Sequence, residues 1–90
     1  MSRRELTSDQ PPPESLLMLG IACASAADPD RINAHKWFNL AAIRGSREAA
    51  RYRQELALEM SPAEVVAAQR AAREWAGQMS DARGQMPEER

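Results

Sequence analysis

The stretch Ala34-His35-Lys36-Trp37-Phe38-Asn39-Leu40-Ala41-Ala42 places apolar side chains at the spacing of an amphipathic helix. It contributes to two apolar stripes, one formed by Ala34, Trp37, Phe38 and Ala41 and the other by Ile32, Leu40 and Ile43. Each stripe has to be covered by a neighbour, so the pattern predicts a helix with two packing partners. Between the stripes lies His35, the only histidine of the chain, which we expect to be solvated.

Short signals on both sides predict where this helix begins and ends. Asp28 can accept backbone N–H groups as N-cap, and Pro29 suits the first helical position. The helix should then run to about Arg44. Gly45 fits the left-handed residue that closes a helix, and Ser46 can cap the next one.

Three further helices are predicted, one before this helix and two after it. The first covers about residues 14–26, with Gly20 as a point of close helix approach and with one apolar face formed by Leu16, Leu19, Gly20, Cys23 and Ala27. The third covers about residues 47–59. The fourth begins at the capping box Ser61-Pro62-Ala63-Glu64 and should fade after Gly77.

These elements predict an all-α fold of two successive antiparallel helix hairpins, because connections of a few residues join neighbouring helices. The helical domain should span residues 14–79. Residues 1–13 combine charges with three consecutive prolines and are expected to form a disordered arm. Residues 80–90 are expected to form a flexible tail.

Composition excludes several classes of function. The chain has 90 residues, with 12 Lys plus Arg against 13 Asp plus Glu, and the net charge of -1 gives no general attraction to nucleic acid or to an anionic membrane. The longest apolar stretch, residues 16–27, is too short to span a bilayer. The first residues lack the apolar run of a secretory signal, so the expected location is cytoplasmic, without membrane insertion.

No residue pattern indicates an enzyme. Cys23 is the only cysteine of the chain and His35 its only histidine. A zinc site would therefore need two further carboxylate ligands converging on them, and no spacing in the sequence suggests such a pair. A nucleophilic Cys23 paired with His35 is equally unsupported, because a thiol on an apolar helix face is usually inert. We therefore expect no catalytic residue, no metal, no cofactor and no small-molecule substrate.

The residues Leu19-Gly20, then Ala34 to Ala42 with Gly45, and then Ala49-Ala50 resemble the Sel-one-like repeat family, a branch of the tetratricopeptide-like superfamily. The resemblance covers about residues 15–50, and the segment from Met60 to about residue 78 looks like the helix that ends such arrays in bacterial members. It implies that Trp37 and Phe38 fill the gap between helices. It also implies a protein-interaction scaffold, an adaptor or a small accessory subunit, without chemistry of its own.

Two surfaces are candidates for partner binding. Leu17, Met18 and Ile21 lie off the expected core face of the first helix and should meet another protein or a second copy, unless the arm or the fourth helix covers them. Arg44, Arg47 and Arg51 follow one another at helical spacing and could bind an acidic protein segment. The alternative function is a regulator that contacts nucleic acid through this arginine corner, although interspersed glutamates partly neutralise it. Trp75, in the last helix, is expected in the core, with part of that helix open to a neighbour.

Overall fold

The computed structural model describes residues 11–84, with side chains to residue 79. This part of the chain is all-α, as predicted, and forms four helices without a strand. The helices are α1 (Pro13–Ser25), α2 (Arg31–Ile43), α3 (Arg47–Ala57) and α4 (Pro62–Gly84). Most of the expected arm, residues 1–10, and the end of the expected tail, residues 85–90, lie outside the described residues.

Helix α2 is the centre of the packing and contacts each of the other three helices, most extensively α1. The pair α3 and α4 shares little contact, because both helices pack on α2 rather than on each other. The expected second hairpin is therefore not a packed pair. The buried core cluster is drawn from all four helices and consists of Leu16, Leu17, Ala34, Phe38, Leu40, Ala41, Ala49 and Ala72.

The core face of α1 is shifted from the expected one: Leu16, Gly20 and Cys23 face the core as predicted, but Leu17 takes the place of Leu19. Leu17 is only 8% exposed, whereas Leu19 is 43% exposed. The placement of Leu17 on a partner surface is therefore wrong. The reason lies at Gly20, against which the Phe38 ring packs so closely that it fixes the contact line between α1 and α2. Leu16 and Leu17 flank that line one turn earlier, and Leu19 points away from it.

The start of α2 also differs from the prediction, because the N-cap is Asp30 and not Asp28. The Asp30 carboxylate accepts hydrogen bonds from the Asn33 backbone N–H at 3.1 Å and from the Asn33 side chain at 2.7 Å. Both aspartates have the right chemistry for a cap. Asp30 lies next to the first helical residue, Arg31, and Asn33 supplies a second donor that Asp28 does not receive.

The turn from α2 to α3 follows the sequence prediction. Gly45 has a φ of 108°, a left-handed conformation that favours glycine. Its backbone N–H donates to the Ala42 carbonyl at 3.0 Å, and the Ser46 N–H donates to the Ala41 carbonyl at 3.0 Å, the pattern of a Schellman motif. The Ser46 hydroxyl then caps α3 by accepting from the Ala49 N–H at 3.0 Å.

Helix α4 begins as predicted but ends later. The Ser61 hydroxyl accepts from the Glu64 N–H at 3.1 Å, and the Glu64 carboxylate accepts from the Ser61 N–H at 2.8 Å, which confirms the capping box. The helix passes through Gly77 and reaches Gly84, beyond the expected domain end at residue 79. A glycine inside a helix costs about 1 kcal/mol relative to alanine but does not end the helix.

The small and aromatic residues expected in the core are buried or half-buried. Ala34 and Ala41 are fully buried, and Phe38 is buried between α1 and α3. Trp37 and Trp75 are half-buried and meet edge to face, with ring centroids 5.6 Å apart. The outer side of Trp37 is covered by the Lys36 ammonium, 4.0 Å from the ring centroid. This tryptophan pair is one of the contacts by which α4 is held on α2.

Candidate interaction groove

An open groove of about 370 Å³ lies between α1 and α3. It exists because both helices pack on α2 and have little contact with each other. We call it the α1–α3 groove. The residues that line it are Ile21, Ala24, Ser25, Phe38, Tyr52, Glu55, Leu56 and Glu59.

The floor and walls of the groove are apolar. Phe38 from α2 stacks on Tyr52 from α3, with ring centroids 5.3 Å apart and an angle of 19° between the ring planes. Ile21 and Ala24 on α1 and Leu56 on α3 are half-buried and pack against the core. An incoming apolar side chain would therefore meet aromatic and aliphatic surface already held in place by the fold.

The rim of the groove is acidic. Glu55 on α3 and Glu59 in the turn after α3 are exposed, and they are the two charged residues of the lining. Glu59 forms an ion pair with Arg31, with 3.8 Å between Oε1 and Nε, in which both side chains are exposed to solvent. Exposed pairs of this kind contribute little to stability, so Glu59 can exchange Arg31 for another cation at small cost.

The three α1 residues expected to share a partner surface lie in three different environments. Ile21 lines the groove, Leu17 belongs to the core, and Met18 is exposed outside the groove. The residues missed from the sequence are those of α3 and of the turn after it. The available signal was a mixture of apolar and acidic side chains at spacings of three, one and three residues, formed by Tyr52, Glu55, Leu56 and Glu59.

The arginine corner is only partly assembled. Arg44 and Arg47 line a separate depression together with Glu14 and Glu48, and Arg51 does not line it. The Arg44 guanidinium donates a hydrogen bond to the Pro11 carbonyl at 2.9 Å, so part of its donor capacity is used within the chain. The depression therefore carries charges of both signs, which makes it a poorer match to a phosphate backbone than the sequence spacing indicates.

A second acidic depression lies beside the loop between α1 and α2, lined by Asp28, Asp30 and Glu64 among others. Two of these carboxylates already serve as helix caps, Asp30 for α2 and Glu64 for α4. The hydrogen bonds from Asn33 lower the pKa of Asp30, as expected for a carboxylate stabilised in its charged form. This depression is explained by capping, and the α1–α3 groove remains the better candidate site.

His35 is buried, in contrast to the solvated position expected from the sequence. It is 3% exposed, and its Nδ1 has no hydrogen-bond partner among the described residues. The prediction was wrong because α3 covers this side of α2 as a third neighbour, through the Phe38–Tyr52 stack and through a 2.7 Å hydrogen bond from Arg53 to the Asn39 side-chain oxygen. Burial lowers the pKa of His35, and the nearby Arg53 charge lowers that pKa further.

Stability should therefore fall with decreasing pH because of His35. The unfolded chain binds this proton with an ordinary pKa of about 6.5, whereas the folded state, in which His35 faces the Arg53 guanidinium and its partner Asn39, resists protonation. The contribution of neutral His35 to the free energy of unfolding is complete above pH about 6.5. It is lost progressively as the pH falls from there toward the lower pKa of the folded state. Urea unfolding at neutral pH and at about pH 5.5 should show this loss in wild type and a smaller loss in His35→Gln. Equal losses in the two proteins would contradict the assignment.

Neither of the residues considered for chemistry belongs to the groove. His35 is buried, and Cys23 is a half-buried free thiol that packs against the core. Among the side chains that the structure describes, no group of three or more His, Cys, Asp or Glu is arranged to hold a metal ion. What the groove offers is an apolar floor with two carboxylates at its edge.

In comparisons with known proteins, no family model, no curated protein and no solved structure matched this chain. None of the helices between residues 11 and 84 combines the length and the apolar character needed to cross a membrane. The geometry and chemistry of the α1–α3 groove are therefore the guide to function.

Proposed function

We propose that this chain is a non-catalytic protein-interaction module, an adaptor or small accessory subunit, that binds a segment of another protein in the α1–α3 groove. The observation that carries the proposal is the groove itself. Two helices stand apart on a common third helix and leave a groove of about 370 Å³, open to solvent and lined by apolar and acidic side chains. Grooves between helices accept a further helix or peptide by the same side-chain packing that joins helices within a fold.

The resemblance of residues 15–50 to Sel-one-like repeats supports the same function. In solenoids of paired helices each unit exposes apolar surface that the next unit covers, and about three units are needed for a continuous core. Residues 11–84 supply four helices, and Ile43, Leu58 and Val66 remain exposed in addition to the groove. A fold of this kind gains stability when another chain completes its packing.

The proposal is tested by blocking the groove without disturbing the core. Ser25 is the last residue of α1, is exposed and lines the groove, so Ser25→Trp should fill the opening at little cost to folding. Ser15→Trp is the matched control, because Ser15 is exposed on the same helix and does not line the groove. Proteins captured by the tagged wild-type chain from its own cells would be purified and titrated against all three proteins by calorimetry.

Direct binding to wild type and to Ser15→Trp, with a loss of about tenfold or more in Ser25→Trp, is the expected result. Circular dichroism and thermal melting should show that both variants remain folded. If a directly bound protein has the same affinity for both tryptophan variants, its binding site lies elsewhere and the groove is not the interaction surface.

A further inference from the structure

We propose that the occupant of the α1–α3 groove is a cationic amphipathic helix of the partner protein. This inference rests on the proposed function and names the chemistry of the partner. The floor of the groove requires apolar side chains, and its rim requires positive charge. A helix that carries leucine-like residues on one face and Lys or Arg beside them satisfies both requirements.

The dimensions favour a helix over a single anchoring side chain. The α3 residues that line the groove extend from Tyr52 to Leu56, about 6 Å of helix, and Glu59 in the turn after α3 continues the lining. One to two turns of an incoming helix cover this length. Apolar residues at positions i, i+3, i+4 and i+7 of that helix would lie against Ile21 and Leu56 and over the Phe38–Tyr52 stack.

The charges select the sign of the partner. Glu55, in the last turn of α3, and Glu59, in the turn that follows α3, lie next to the apolar floor. Arg31 is the cation in contact with Glu59. A Lys or Arg of the partner helix would pair with Glu55 and would replace or share Arg31 at Glu59. An acidic helix would instead place its carboxylates next to Glu55 and Glu59, and repulsion of like charges at an interface opposes binding.

The test uses two synthetic helical peptides of about 15 residues, a length at which isolated helices become marginally stable. Both have leucine at i, i+3, i+4 and i+7, with lysine at the other positions in one peptide and glutamate in the other. Binding of labelled peptide to the full chain is followed by fluorescence anisotropy at low and at moderate salt. The protein variants are Glu55→Gln with Glu59→Gln, Ser25→Trp, and the control Glu14→Gln with Glu74→Gln, which neutralises two exposed carboxylates outside the groove.

The lysine peptide should bind wild type at least about tenfold more tightly than the glutamate peptide, and the affinity should fall as salt increases. The Glu55/Glu59 variant should lose most of this preference, the Glu14/Glu74 control should keep it, and Ser25→Trp should lose binding of the lysine peptide.

Three results would overturn the inference. These are equal binding of the two peptides, an equal loss in the two neutralised variants, and no binding of the lysine peptide. Equal binding of both peptides that Ser25→Trp abolishes would still leave the groove as a binding site without charge selection. Failure of the proposed function itself would show differently, as a natural partner whose affinity is insensitive to Ser25→Trp.

Discussion

Phe38→Ala is expected to unfold most of the protein at physiological temperature. The Phe38 ring is 2% exposed, lies against Gly20 of α1 and stacks on Tyr52 of α3, so its removal breaks contacts that hold both helices on α2. Truncation of a buried phenylalanine to alanine costs about 3 to 5 kcal/mol. At about 0.05 to 0.15 kcal/mol per residue, a domain of this size has a total stability of a similar order.

The loss can be measured by urea unfolding followed by circular dichroism. Leu58→Ala is the control, because Leu58 is a large apolar residue that is 87% exposed and should change stability by no more than about 0.5 kcal/mol. If Phe38→Ala unfolds at the same urea concentration as Leu58→Ala, the Phe38 ring does not join the helices in the way described here.

The features that sequence reasoning predicted correctly are local ones. The Schellman turn at Gly45 and the capping box at Ser61 depend on residues within a few positions of each other, and their side-chain chemistry determines the geometry. The stripe of Ala34, Phe38 and Ala41 was equally clear, because small residues at helical spacing identify the side on which another helix approaches. These signals were sufficient to predict an all-α fold and two packing partners for α2.

The errors concern choices that only tertiary packing decides. Asp28 and Asp30 are equally good caps in isolation, and the second hydrogen bond from Asn33 distinguishes them. Leu17 and Leu19 both suit a buried helix face, but the depth of the contact at Gly20 determines which of them is covered. His35 was expected in solvent because two apolar stripes indicated two helices packed on α2. Three helices pack on α2, and His35 is buried.

The groove could be predicted only in part for the same reason. Ile21 was placed on an interaction surface from its position off the expected core face, and it lines the groove. Glu55 and Glu59 were interpreted as neutralising the arginine corner, because the sequence does not show that α3 stands apart from α1. Helices α1 and α3 are separate because each packs on α2 and has little contact with the other. The amphipathic face of α3 therefore lines the α1–α3 groove.

The second large effect is expected at Gly20. A Cβ atom at this position would lie 2.5 Å from both Cδ1 and Cε1 of Phe38, closer than packed atoms tolerate. The ring cannot simply move away, because it is buried and stacked on Tyr52. Any side chain at position 20 must therefore push α1 away from α2 along their main contact.

Gly20→Val should accordingly destabilise the fold by about 3 kcal/mol, at the upper end of the usual cost of overpacking a core. Gly77→Val is the matched control. It introduces the same side chain into a helix at a position where a Cβ meets nothing within 4 Å, and it should change stability by less than about 0.5 kcal/mol.

If the clash with Phe38 is the cause, Phe38→Leu should cost much less in the Gly20→Val background than in wild type, with a coupling of about 1 kcal/mol or more. Urea unfolding of the four proteins in this cycle measures the coupling directly. Additive effects would mean that the valine acts through the α1 backbone alone, whereas coupling would establish that the Gly20–Phe38 contact holds α1 in position as one wall of the α1–α3 groove.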